Sequence, residues 1–241
     1  MSLESANHHQ PASRQVTTNT QLPALIETMR AEPTGEITLL GGHLTRLETS
    51  ARALGFQWPG RASLLASING ALERAPDRSA PTRFRLLLRQ TGEVRVETAA
   101  LAALRGTPLV ALATHVLHSD EPLLQHKTTH RPWYEATTNW LSTRPEFFDL
   151  VFMNERGELC EGSRSNLYIK KDGQWVTPPL ACGLLGGVMR QQLLQTGQVR
   201  EGLLHRTDFE QPKAQLRLSN GLRDWFDVQR ATSFFPGRDF P

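Results

Sequence analysis

The sequence predicts an α+β fold, and three observations carry that expectation. Apolar runs of strand length and stretches with helical spacing are mixed along the chain. They do not alternate as a regular strand–helix–strand series, which argues against a doubly wound sheet. Turn residues punctuate the strand-like runs, as at Thr91-Gly92 and Asn154-Glu155-Arg156-Gly157.

Taken in order, ordered structure is expected from about Leu22, and the segment LIETMRAEPTGEITLL reads as two short strands. The turn between them is Glu32-Pro33-Thr34-Gly35. In HLTRLETSARALG, Leu44, Leu47, Ala51 and Leu54 fall at helical spacing, with Gly55 as the C-terminal glycine. A second helix is expected over 62–74. RFRLLLR at 83–89 and VRVET at 94–98 read as paired strands, and 110–117 as another strand. His118-Ser119-Asp120-Glu121-Pro122 is polar and carries a proline, so it reads as an interdomain loop. Beyond it, 131–141 looks helical, and 148–154, 165–171 and 175–177 look like strands. Residues 187–195 read as a helix behind a glycine-rich loop, and 215–219 as a late strand.

Composition narrows the function. Of 241 residues, 39% are hydrophobic and 21% charged, an ordinary balance for a globular protein. That length can bury one or two cores. No apolar run approaches the roughly 18 residues that cross a membrane. Residues 1–21 lack the apolar centre of a signal peptide and read as a flexible tail, so a cytoplasmic location is expected. The net charge of +3 is scattered, which does not indicate a nucleic-acid partner. Cys160 and Cys182 make neither a disulfide framework nor a metal cluster. His43, His126 and His130 lack the spacing of a zinc site.

Alone, no segment names a reaction. Five of them, in order, do: HLTRL at 43–47, HKTTHRPWYEA at 126–136, NERGELCEGSRSNLYI at 154–169, TPPLACGLLGGVMR at 177–190 and LSNGLRDW at 218–225. Together they resemble the fold-type IV pyridoxal-phosphate enzymes, the class IV aminotransferase family, from about Leu25 to Val228. The resemblance implies a two-domain fold. A smaller N-terminal α/β domain would span 22–117. A larger C-terminal domain with a barrel-like sheet would span 123–241, with 118–122 as the loop between them. Pyridoxal 5'-phosphate is the implied cofactor.

The resemblance implies that the Lys127 amine holds the cofactor aldehyde covalently and, once freed, moves protons. Glu161 follows 34 residues later. It would stand beside the pyridine nitrogen and favour its protonated form. Arg46 would be the phosphate arginine, a planar guanidinium suited to bidentate contact. Gly187 and Val188 would offer backbone N–H groups at a helix N-terminus. Asn220 resembles a further phosphate-side residue of the lyase branch. Thr28, Arg164 and Arg223 are candidate substrate contacts.

Within the family the likeness is nearest to the aminodeoxychorismate lyases, especially the lyase domain fused to aminodeoxychorismate synthase component I. LIETMR, HKTTHR and TPPL carry it. Gly186 replaces a usual proline, and Gly221 and Asp224 depart from the pattern. The implied reaction turns 4-amino-4-deoxychorismate into 4-aminobenzoate and pyruvate, for folate synthesis. The alternative is an aminotransferase acting on branched-chain or D-amino acids. A degenerate, non-catalytic relative is a third reading. A homodimer and a functional link to a synthase are expected by analogy.

Overall fold

The computed structural model describes residues 23–75 and 79–231; the tail expected over 1–21 lies outside them. Two sheets organise the chain. The first is antiparallel, with β1 (Leu25–Ala31), β2 (Thr82–Leu88) and β3 (Val94–Ala100) in that order. Two helices, α1 (Leu40–Ala53) and α2 (Arg61–Glu73), share a core with it. Alternation decides which side chains enter that core. Leu25, Glu27, Met29 and Ala31 are buried from β1, and Phe84, Leu86 and Leu88 from β2. Arg83 and Arg85 take the opposite parity and line a cavity.

The N-terminal hairpin does not form as expected. The turn is present, with Gly35 at φ 88° and its N–H on the Glu32 carbonyl at 2.8 Å. Beyond it a single bridge joins Ala31 to Ile37. Leu39, at φ 57°, then swings the chain into α1. Ile37 belongs to the core beneath the helices, so the segment packs there and β1 pairs along its length with β2.

The second sheet has eight strands. They are β4 (Leu109–Leu117), β5 (Phe147–Asn154), β6 (Leu159–Gly162), β7 (Asn166–Lys171), β8 (Gln174–Thr177), β9 (Val199–Glu201), β10 (Leu216–Asn220) and β11 (Asp224–Arg230). Their order is β10-β11-β4-β5-β6-β7-β8-β9, and β10 also pairs with β7. Strands β4, β5, β6, β7, β10 and β11 thereby close a barrel-like ring, as the fold class implied. Val110, Val151, Leu167, Leu216 and Leu218 form one core of this sheet. Strand β4, upstream of the expected interdomain loop, pairs with β5 and β11 in this sheet.

Three helices complete it. α3 (Glu135–Leu141) lies between the parallel strands β4 and β5, and α4 (Val188–Gln195) between the parallel strands β8 and β9. α5 (Arg206–Glu210) is one short turn. Strands β6, β9 and β11 and helix α5 were not anticipated from the sequence.

Candidate active site

A cavity of about 330 Å³ lies between the two sheets. It falls at the lower end of ligand-pocket volumes. Thr28, Arg46, Lys127, Glu161 and Arg164 line it, as do Gly187, Val188 and Asn220. Arg223 does not. It lines an adjoining cleft that shares Arg83, Arg164, Asn220 and Leu222 with the cavity.

Lys127 is fixed by its backbone. Its carbonyl accepts the Ile26 N–H at 2.8 Å, and the Thr129 N–H donates to the Ala24 carbonyl at 2.8 Å. The Thr129 hydroxyl accepts the Ala24 N–H at 3.0 Å. The Thr128 hydroxyl donates to the His130 carbonyl at 2.8 Å. Thr129 thus stitches the lysine segment to the start of β1, and the Thr128 hydroxyl braces the segment itself. Burial lowers the Lys127 pKa to about 7, with Arg131 and Arg46 pushing the same way and Glu27 and Glu161 opposing. An amine there exists in both protonation states near neutrality.

Glu161 stands on β6, 3% exposed. One carboxylate oxygen accepts the Tyr134 hydroxyl at 2.9 Å and the other the Asn166 side-chain amide at 3.2 Å. Burial raises its pKa to about 7, against the pull of Arg131, the Leu185 backbone, Tyr134 and Lys127. The hydrogen-bond donors on its oxygens are neutral, so a cation beside it would favour its charged form.

Arg46 extends from α1. Its Nε donates to Glu27 Oε1 at 2.8 Å and its Nη2 to Glu27 Oε2 at 2.5 Å. His43 Nδ1 lies 2.6 Å from the same Oε2. Sequence reading missed Glu27 and the His43 role. The signal was present in strand parity, because Glu27 shares its face with Leu25 and Met29. It also missed Tyr134, Asn166 and Arg131, whose roles depend on distant neighbours.

The remaining wall is built by close approach. Gly187 precedes α4, and a Cβ there would lie 1.9 Å from the Asn166 Oδ1. No side chain caps this helix, so its first N–H groups have no side-chain acceptor. Asn220 lies on the wall, but its side chain serves the turn. Its oxygen accepts the Leu222 and Arg223 N–H groups at 2.9 and 3.0 Å, and its amide donates to the Arg164 carbonyl at 3.2 Å. Arg164 donates from Nε to the Phe148 carbonyl at 2.8 Å and stacks on that ring. Asp149 holds the loop that carries Arg164. Its carboxylate accepts the Ser163 and Arg164 N–H groups and the Ser163 and Ser165 hydroxyls.

The Amino-transferase class IV family model matches residues 24–231. A Schizosaccharomyces pombe protein provisionally named aminodeoxychorismate lyase is 32% identical over 195 residues, 78% of this chain and 82% of that protein. A Mesorhizobium loti protein provisionally assigned as an amino-acid aminotransferase has a crystal structure that superposes with a TM-score of 0.78. Its identity is 32%, and the match covers 87% of this chain and 100% of that one. A hypothetical aminotransferase from Mycobacterium tuberculosis, in its PLP-bound form, has a TM-score of 0.70 at 20% identity. It covers 90% of this chain and 83% of that one, and it shares the fold.

The residues fit pyridoxal phosphate on observations of this chain. A buried carboxylate with neutral donors faces the cavity, as the pyridine nitrogen requires. A half-buried amine with a lowered pKa suits bonding to an aldehyde. The Gly187 backbone, bare of a Cβ, adjoins the uncapped helix end, where a phosphate is favoured. Arg46 lines the same cavity.

Proposed function

The chain belongs to the class IV aminotransferase family, whose cofactor is pyridoxal 5'-phosphate, and within that family we propose that it is a lyase. Its substrate is 4-amino-4-deoxychorismate, and its products are 4-aminobenzoate and pyruvate. The carrying observation is charge. Arg83, Arg85, Arg131 and Arg164 line the cavity in addition to Arg46, and Glu161 is the one carboxylate among its lining residues. A phosphate alone does not require so many guanidinium groups. A substrate with two carboxylates would use them. The Schizosaccharomyces pombe relative supports this reading.

When bound, pyridoxal phosphate supplies an electron sink for a carbanion. Lys127 would hold this group, and its free amine would take the proton from the amine-bearing ring carbon. Glu161 would stand beside the pyridine nitrogen and favour its protonated form. Arg46, with the Gly187 and Val188 N–H groups, holds the phosphate, and Asn220 shapes the adjoining turn. Arg131 and Arg164 meet the substrate carboxylates, Thr28 forms the β1 side of the pocket, and Arg223 extends the positive field outside it. The electron pair left behind expels the neighbouring ether oxygen and makes the ring aromatic. The enolpyruvate released takes up a proton at its methylene carbon, balancing the one removed, and becomes pyruvate. The test is product release without a 2-oxo acid acceptor. 4-Aminobenzoate and pyruvate are expected in equal amounts.

A second reading, an aminotransferase, is favoured by the Mesorhizobium loti neighbour, with branched-chain or D-amino acids as its expected substrates. It uses the same lysine and glutamate but needs the acceptor. Turnover of an amino acid with 2-oxoglutarate, and none of aminodeoxychorismate, would put it first. We also propose a cytoplasmic homodimer supplied by an aminodeoxychorismate synthase for folate synthesis.

A further inference from the structure

We infer that Glu27 is the positioning residue of the phosphate site, a carboxylate that never touches the cofactor but fixes the arginine that does. The inference rests on the assignment of Arg46 to the phosphate.

Glu27 is 1% exposed and binds one edge of the Arg46 guanidinium through Nε and Nη2. That edge is occupied, so the guanidinium can turn only its remaining N–H groups toward a ligand. Its Nη1 donates to the Gly186 carbonyl at 3.4 Å. The free edge therefore lies beside the loop that opens α4. The guanidinium and the bare helix end converge on one region of the cavity.

The same carboxylate reaches the opposite wall through His43. His43 is fully buried, and its Nδ1 lies 2.6 Å from Glu27 Oε2. Its Nε2 has no hydrogen-bond partner among the described residues. The ring packs on Gly221, where a Cβ would lie 2.7 Å from Cε1, 2.9 Å from Nε2 and 2.7 Å from the Thr28 carbonyl. The glycine is required there by space alone, since its φ is ordinary. One carboxylate thus sets the position of Arg46 and backs the turn at 220–222. Burial would push the Glu27 pKa up, but the Arg46 charge and the hydrogen bonds from Arg46 and His43 lower it to about 2 and keep it ionised.

Charge and orientation make opposite predictions. The Glu27 charge cancels part of the Arg46 charge, so its loss would tighten phosphate binding if net charge ruled. If orientation rules, its loss frees a long side chain and weakens binding, because an unpinned arginine must be reordered for each ligand.

The experiment titrates the apoenzyme with pyridoxal phosphate and with pyridoxal, which lacks the phosphate, and follows tryptophan fluorescence. Inorganic phosphate serves as competitor. The proteins are the parent, Glu27→Gln, Glu27→Asp, Arg46→Ala and the Glu27→Gln/Arg46→Ala double variant. Glu27→Gln is expected to weaken pyridoxal phosphate about tenfold and to leave pyridoxal within about twofold. In the Arg46→Ala background it should remove no further phosphate selectivity. Unchanged or tighter pyridoxal phosphate binding by Glu27→Gln overturns the inference, and a selective loss in Arg46→Ala would then leave the Arg46 assignment standing. Equal weakening of both ligands in Arg46→Ala removes the assignment beneath it. If Glu27→Gln fails to fold, Glu27→Asp decides. It keeps the charge, but its side chain is one methylene shorter and draws the carboxylate back from the guanidinium that Glu27 reaches. A parent-like ratio of the two affinities in that variant overturns the inference.

Discussion

Glu27 and Glu161 are both buried, one behind each wall of a single cavity, and they titrate in opposite directions. Desolvation pushes each carboxyl up. At Glu27 a bidentate guanidinium and an imidazole override it, and the pKa falls to about 2. At Glu161 the donors on its oxygens are a phenol and an amide, and the pKa rises to about 7. The difference teaches that burial does not fix a carboxylate's role; its partners do. Glu27 already has its cation and can only hold it. Glu161 is poised to receive one.

Lys127 lies between the two, and its replacement gives the largest expected effect. Lys127→Ala should abolish covalent attachment of the cofactor and reduce turnover to background. Borohydride reduction and peptide mapping of the parent should place the label on Lys127. A label on another lysine would end the assignment.

Glu161→Gln comes next. The amide cannot supply the charge that the comparison assigns to this wall. Turnover should drop by about 10²–10³-fold, while the protein folds and retains cofactor. Steady-state kinetics check this. Turnover within about twofold of the parent would show that Glu161 behaves as a bystander.

The pH dependence of apoprotein stability separates the glutamates without any activity. Glu161 has a raised pKa, so the folded state favours its protonated form. Its destabilising effect is absent below 4.5, grows as pH rises to about 7 and is full above that. Glu27 has a lowered pKa. Its stabilisation is full above 4.5 and is lost as pH falls toward about 2. Relative to the parent, Glu161→Gln should therefore gain stability between pH 5 and pH 8, by up to about 3 kcal/mol. Glu27→Gln should be less stable than the parent at both. Denaturant titrations at the two pH values read the sign, and a flat difference for Glu161→Gln would contradict its raised pKa.

The two walls also differ in how well the sequence revealed them. Long periodic elements such as α1, α2 and the β2–β3 hairpin were legible because their apolar spacing repeats over several turns or pairs. The lysine and glutamate were legible through local motif resemblance. Strand β6, which carries Glu161, was not: Leu159, Cys160, Glu161 and Gly162 are too few to show alternation, and their pairing is set by β5 and β7. The short β9 and α5 escaped for the same reason. Ile37 and Leu40 read as a strand because apolar content does not say which neighbour they will pack on. Glu27 was hidden by its charge, which suggests a solvated residue until strand parity is followed.

The smallest effect tests which glutamate the Gly187 position serves. Its φ of −61° is open to any residue, so only space restricts it. A methyl group there meets the Asn166 Oδ1 at 1.9 Å and must displace it. Asn166 donates to Glu161 Oε2 and also to the Leu185 carbonyl at 2.9 Å, so its movement disturbs the Glu161 wall. The Arg46–Glu27 pair shares no hydrogen bond with Asn166. Gly187→Ala should therefore cost about 1–3 kcal/mol of stability, as overpacking does, and lower turnover roughly tenfold, about 1.4 kcal/mol of barrier. The ratio of pyridoxal phosphate to pyridoxal affinity should stay near the parent's, because the N–H groups that open α4 remain. Parallel measurements of turnover and of that ratio decide the matter. Parent-like turnover with a collapsed ratio would assign Gly187 to the phosphate alone and cut its link to Glu161.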